Sequence, residues 1–224
     1  MSPTTLASLA LFALPTAQFA QLINPHGSNL EDAYQINYAS NLNLADAVVT
    51  VTNAGSAAGF SSANTSGDIC VNTYIYAPDE RLLTCCSCLV PPNSLHSWPV
   101  AFGSGNLLSN VPASSRPPSV VIKLVATTSS YTGAGSCPAP SAYYTIGPNP
   151  NSSNLKSNLA PGMAAWETHS HPTNTVAAAI TETKFIDKGL SLDEMSRLNT
   201  DCSNLPVGQR CPACRSGGLV QPML

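Results

Sequence analysis

Charge is what this sequence has least of. Its 224 residues carry nine Lys and Arg against twelve Asp and Glu, 9% of the chain, where soluble domains carry roughly 25%. The first basic residue is Arg81, and the formal net charge is −3. With no clustered cations to neutralise phosphates, the chain is not built as a nucleic-acid binder. A low net charge with 43% hydrophobic residues also argues against intrinsic disorder, which needs the opposite combination. No apolar run approaches the roughly 20 residues of a bilayer span, so no transmembrane anchor is expected in the mature chain. Catalytic signatures are missing too: there is no Gly-x-Ser-x-Gly elbow and no Cys-x-x-Cys-His haem motif. Adjacent acids at Glu31/Asp32 and Asp79/Glu80 do not make the facing pair of a glycosidase, and Asp79 and Glu80 read as turn residues. The chain is therefore read as a non-enzyme with no implied cofactor.

What fills the space is Ser, Thr, Asn and Gly, with 19 Pro and eight Cys. Leu6 to Leu14 is a short apolar run stopped by Pro15, the length of a secretory h-region, with small residues for cleavage around Ala17 and Ala20. No Lys or Arg precedes it, and a buried helix at the start of the mature chain is the competing reading. The expected organisation is a signal peptide over 1–20, then one β-rich domain over 21–224 with a disulfide-stapled tail. The cysteines are Cys70, Cys85, Cys86, Cys88, Cys137, Cys202, Cys211 and Cys214. An even number in an exported chain reads as four disulfides, with about a hundred connectivities open.

Strand signals recur between turn dipeptides: Tyr34 to Tyr38, Ala47 to Thr52, Asp68 to Tyr76, Arg81 to Val90, Leu95 to Phe102, Ser119 to Ala126 and Tyr143 to Ile146. Asp68 to Val90 reads as a β-hairpin with Pro78 at the second position of a type I turn. On its return strand Cys85 and Cys86 face opposite ways while Cys86 and Cys88 share a face, so the hairpin cannot pair all four of its cysteines on one side. Thr175 to Thr183 reads as helix or strand, with strand favoured because Thr, Val and Ile bracket its alanines. The single helix starts at Ser191-Leu-Asp-Glu194, a capping box, and runs through Met195 and Leu198 to about Asp201. Many short strands and one late helix predict a mainly β fold: an antiparallel, immunoglobulin-like β-sandwich, disulfide-stapled, with one short C-terminal helix.

Candidate sites are few. Glu167, His169 and His171 alternate, so on an extended strand they would share a face and offer two imidazoles and a carboxylate to Zn²⁺ or Cu²⁺; the same stretch also reads as an exposed loop closed by Pro172. Cys85-x-x-Cys88 with Cys211-x-x-Cys214 has the spacing of zinc hooks, but export favours oxidation. Trp98 and Trp166, with Tyr143 and Tyr144, are the aromatics that would mark a ligand surface. Asn64 and Asn151 lie in glycosylation sequons.

Ala47-Val-Val-Thr-Val-Thr-Asn-Ala-Gly55 resembles a strand of bacterial immunoglobulin-like surface modules. Ile69-Cys-Val-Asn72, Ala77-Pro-Asp-Glu80, Cys85-Cys-Ser-Cys88, Pro118 to Leu124, Leu159 to Trp166 and the C-terminal Cys-x-x-Cys together resemble a group of exported, cysteine-rich bacterial proteins of no assigned activity. That resemblance implies export and a shared disulfide framework, and brings no catalytic residues. The expected function is a secreted or cell-surface structural or interaction protein, a subunit of an extracellular assembly or filament, with a protein partner. The strand at Tyr34 to Tyr38 is a candidate for pairing with another subunit. The alternatives are an extracellular carbohydrate- or ligand-binding module and, behind it, a metal-dependent periplasmic enzyme.

Overall fold

The structure is a computed structural model that describes residues 31–57, 67–128, 137, 159–171 and 179–206. The leader, Asn64, Asn151, Cys211, Cys214 and the strand expected at Tyr143 to Ile146 lie outside the described residues.

The hairpin forms where the sequence places it. β3 (Ile69–Tyr76) pairs antiparallel with β4 (Leu82–Val90). Pro78 supplies the fixed φ of a type I turn, Glu80 N–H donates to the Ala77 carbonyl (2.9 Å), and Glu80 takes a left-handed φ of 65°. A type I turn followed by a left-handed residue is a common three-residue hairpin loop. β3 then serves as a central strand, flanked on its other side by β6 (Val120–Thr128). β1 (Tyr34–Ala39) follows β6, and the two-residue β9 (Ile186–Asp187) closes a five-stranded sheet of order β4-β3-β6-β1-β9. β1, the strand offered by its sequence to another subunit, is thus occupied by β6 along its whole length and by β9 at Gln35 and Ile36.

The second sheet has order β5-β2-β7-β8, formed by β2 (Ala47–Asn53), β5 (Leu95–Pro99), β7 (Met163–His171) and β8 (Ala179–Lys184). All pairings in both sheets are antiparallel. The two sheets close over one apolar core in which Val49, Val51 and Ala165 meet Val71, Ile75, Ile122 and Leu124. The strand orders do not by themselves establish the immunoglobulin-like arrangement. The Leu95 to Phe102 expectation is shortened to Leu95–Pro99, and β7, central in its sheet, takes the extended reading of Glu167 to His171 and not the exposed loop.

Among the described residues a helix adds a third layer. α1 (Leu192–Asn204) buries Met195, Leu198 and Cys202, positions three and seven residues apart that share one face of a helix. They pack on the outer side of the five-stranded sheet against Tyr34, Tyr74, Tyr76, Leu82 and Val125. β3 is consequently buried at all eight positions. Ser191 caps the helix, its hydroxyl accepting from Glu194 N–H (3.1 Å). The reciprocal half of the expected capping box is not made: the Glu194 carboxylate instead accepts from Lys123 Nζ (2.5 Å) and the Tyr34 hydroxyl (3.2 Å). A strand cation and a phenol on the sheet face outcompete the local amide, which ties the helix to the sheet.

Candidate functional site

Cysteine chemistry is settled by the sheet's pleat. Cys85 stands opposite Tyr74 on the helix-facing side and bonds to Cys202 of α1; Cys70 bonds to Cys137. Cys86 and Cys88 stand opposite Thr73 and Val71 on the inner face, and both are disulfide-bonded. A four-thiolate zinc site at Cys85-x-x-Cys88 is therefore ruled out, because its thiols are oxidised and face opposite sides of the strand. No free cysteine is present among the described residues.

The polar cluster proposed from sequence lies on β7. Alternation turns Met163, Ala165, Glu167 and His169 inward, toward β1, whose inner positions are Gln35 and Asn37. Glu167 is 5% exposed and accepts from Asn37 Nδ2 (2.8 Å) across the gap between the sheets. Gln35 Nε2 reaches the Met163 carbonyl (2.9 Å) in the same seam. Burial pushes the Glu167 carboxyl up to about 7. His169, 7% exposed, has Nδ1 3.8 Å from Glu167 Oε1, too long for a hydrogen bond, and neither ring nitrogen has a hydrogen-bond partner. Burial, reinforced by the neighbouring His171, holds its imidazole below the ordinary histidine range. The His169 and His171 rings lie 4.8 Å apart, and His171 Nε2 is 2.9 Å from the Thr181 hydroxyl on β8. The three side chains thus come together as an extended strand requires, yet no group of three His, Cys, Asp or Glu side chains among the described residues is arranged to hold a metal ion. The Zn²⁺ or Cu²⁺ reading finds no donor set here: the carboxylate is committed to Asn37 and His171 to Thr181. The seam's role in the described structure is to join the two sheets.

The aromatic candidates separate. Trp98 is buried in the core, stacked near His96 (ring centroids 5.9 Å). Trp166 sits half-buried on the outer face of the four-stranded sheet, between Thr50 of β2 and Lys184 of β8. Away from Lys184 and Glu182 of β8 the face around it is hydroxyl-rich: Thr50 and Ser97 hydrogen-bond to each other (2.9 Å), and Thr168 follows along β7.

The strand expected within Thr175 to Thr183 forms as β8 over Ala179–Lys184, but its exposure was not foreseen from the sequence. β8 is exposed at all six positions, with Ile180 at 64%. Phe185 N–H donates to the Ala165 carbonyl (3.0 Å), so in this antiparallel register Thr181 and Thr183 hydrogen-bond toward β7. The amides and carbonyls of Ile180, Glu182 and Lys184 then point away from the sheet. Among the described residues the other edges are covered, very short or, for β5, partly covered. No residue of β4 is exposed, β9 has two residues, and β5 is met at its end by Leu107 N–H donating to the Pro99 carbonyl (2.8 Å). Alternating Ile, Thr, Glu, Thr, Lys was a readable strand signal; its position at an open edge was not.

No protein-family model, curated protein or solved structure matches this chain.

Proposed function

We propose that this protein is a secreted or cell-surface structural or interaction protein, a subunit of an extracellular assembly. The observation that carries the reading is β8: a fully exposed edge strand on a body otherwise closed by disulfides and a packed helix. Edge strands with unpaired amides and carbonyls are templates for another chain. Low charge removes the self-repulsion that would hold copies apart. Oxidised cysteines suit an exported chain. Export, and kinship with cysteine-rich exported bacterial proteins, belong to this proposal.

The test is fractionation of the producing cells, with the protein followed by antibody and sedimentation. The reading expects it outside the cytoplasm, in material larger than one chain. Recovery as a single chain in the cytosolic fraction contradicts it. A second reading, a carbohydrate-binding face, is favoured by Trp166 among Thr50, Ser97 and Thr168, because an aromatic plane ringed by hydroxyls suits sugar rings. Titrating Trp fluorescence with oligosaccharides separates the two: a saturable shift lost in Trp166→Ala supports binding, and an unchanged spectrum rejects it.

A further inference from the structure

We propose that β8 is a homotypic contact: two copies pair antiparallel through this strand about a two-fold axis at Thr183, joining their four-stranded sheets into one of eight strands. The inference rests on the reading of the protein as an assembly subunit and specifies which surface and which partner serve it.

The pleat limits the possibilities. Backbone groups free for a new strand belong to Ile180, Glu182 and Lys184, so these residues must lie opposite one another in any added antiparallel ladder. An axis at Glu182 sets two Glu182 carboxylates face to face, and like charges directly opposite are destabilising. An axis at Thr181 sets Ile180 against Glu182. An axis at Thr183 places Glu182 opposite Lys184 of the partner subunit, and symmetry repeats the pair. That register satisfies the outward amides and carbonyls of both residues on each copy and makes two cross-strand ion pairs. The added ladder ends at Lys184, because the same backbone edge at Ile186 is taken by Ile36 of β1.

Charged side chains usually protect an edge from pairing. Here the sign alternates, so the strand is complementary to its own two-fold image. The existing pair of Lys184 Nζ with Asp187 (3.4 Å) is solvent-exposed and offers little competition. Neighbouring Trp166, opposite Lys184 on β7, extends the joined outer face. A two-fold contact of this kind closes on itself, so β8 makes dimers; a longer assembly needs a second surface.

Sedimentation equilibrium of the purified, oxidised protein tests this with four variants. Glu182→Lys alone and Lys184→Glu alone each place like charges opposite twice, and each is expected to weaken the dimer about tenfold. The double variant Glu182→Lys/Lys184→Glu restores it to near the wild-type value. Glu182→Pro removes an amide that faces the open edge, leaves the β7 ladder whole, and abolishes dimerisation. Wild type remaining a monomer up to about 1 mM, or a dimer indifferent to all four changes, overturns the proposal. A dimer weakened by Glu182→Lys but untouched by Lys184→Glu overturns the Thr183 axis. If native material is assembled while the pure chain stays monomeric, the assembly reading stands and the homotypic contact falls.

Discussion

Glu167 is a carboxylic acid placed where water is excluded. Buried between the sheets, it is held by one hydrogen bond from Asn37, and its pKa rises from 4.5 to about 7 because water is excluded. A raised carboxyl pKa means the folded state binds a proton that the unfolded chain releases. Its contribution to stability is therefore fully present below about pH 4.5 and is lost as pH rises through 7. Glu167→Gln keeps an acceptor for Asn37 and removes the charge. Thermal melts should show the variant close to wild type near pH 4.5 and more stable at pH 8, by at most about 3 kcal/mol. A variant less stable than wild type at pH 8 would contradict this account. His169 acts in the opposite sense: its lowered pKa costs stability as pH falls below the ordinary histidine value. Sequence put Glu167, His169 and His171 on one face, because alternation alone decides that. Asn37 left no comparable signal: it follows Ile36 in a short strand, and its partner is 130 positions away.

At the level of elements, the helix and its staple carry predictions that differ in kind. Ser191→Ala removes the side-chain acceptor for Glu194 N–H and should cost about 1 kcal/mol, lowering Tm by roughly 2–4 °C in a chain of this size. An unchanged Tm would mean that the ties of Glu194 to Lys123 and Tyr34 already define the helix start. The double variant Cys85→Ala/Cys202→Ala opens a loop of 117 residues and should cost about 2–5 kcal/mol in guanidinium unfolding, with α1 becoming the first site of limited proteolysis. Equal stability would show that the apolar contacts of Met195 and Leu198 alone hold the third layer.

The hairpin of β3 and β4 was readable because each level agreed: β-branched runs, Pro78 at the turn and alternating cysteines. β7 was not readable, since its inner positions include Glu167 and His169 and its outer ones Trp166 and Thr168, so hydrophobic alternation fails in mid-strand. What places β7 centrally is tertiary: the Asn37 and Gln35 side chains from the opposite sheet supply the hydrogen bonds that polar inner positions require. The third layer was hidden for a related reason. Tyr74 and Tyr76 read as one face of a strand, and nothing local shows that a helix more than a hundred residues later covers them.

The described residues form three layers held at two levels, an apolar core between the sheets and covalent links that fasten distant segments to the β3–β4 hairpin. Cys70, Cys85, Cys86 and Cys88 all lie on that hairpin, and all are bonded. The hairpin is thus the anchor of the fold, and β8 on the opposite sheet is its open side. No helix among the described residues is long and apolar enough to cross a membrane.

Sulfur chemistry holds the layers to the β3–β4 hairpin, and an intact-mass determination reads it directly. Native protein would be denatured in a thiol-alkylating reagent without reductant, weighed, then digested to map its linked peptides. No added alkyl groups, with crosslinks joining Cys70 to Cys137 and Cys85 to Cys202, is the predicted result. A chain that takes up reagent at most of its cysteines, or links Cys85 within its own strand, would contradict both the architecture and the proposed extracellular role.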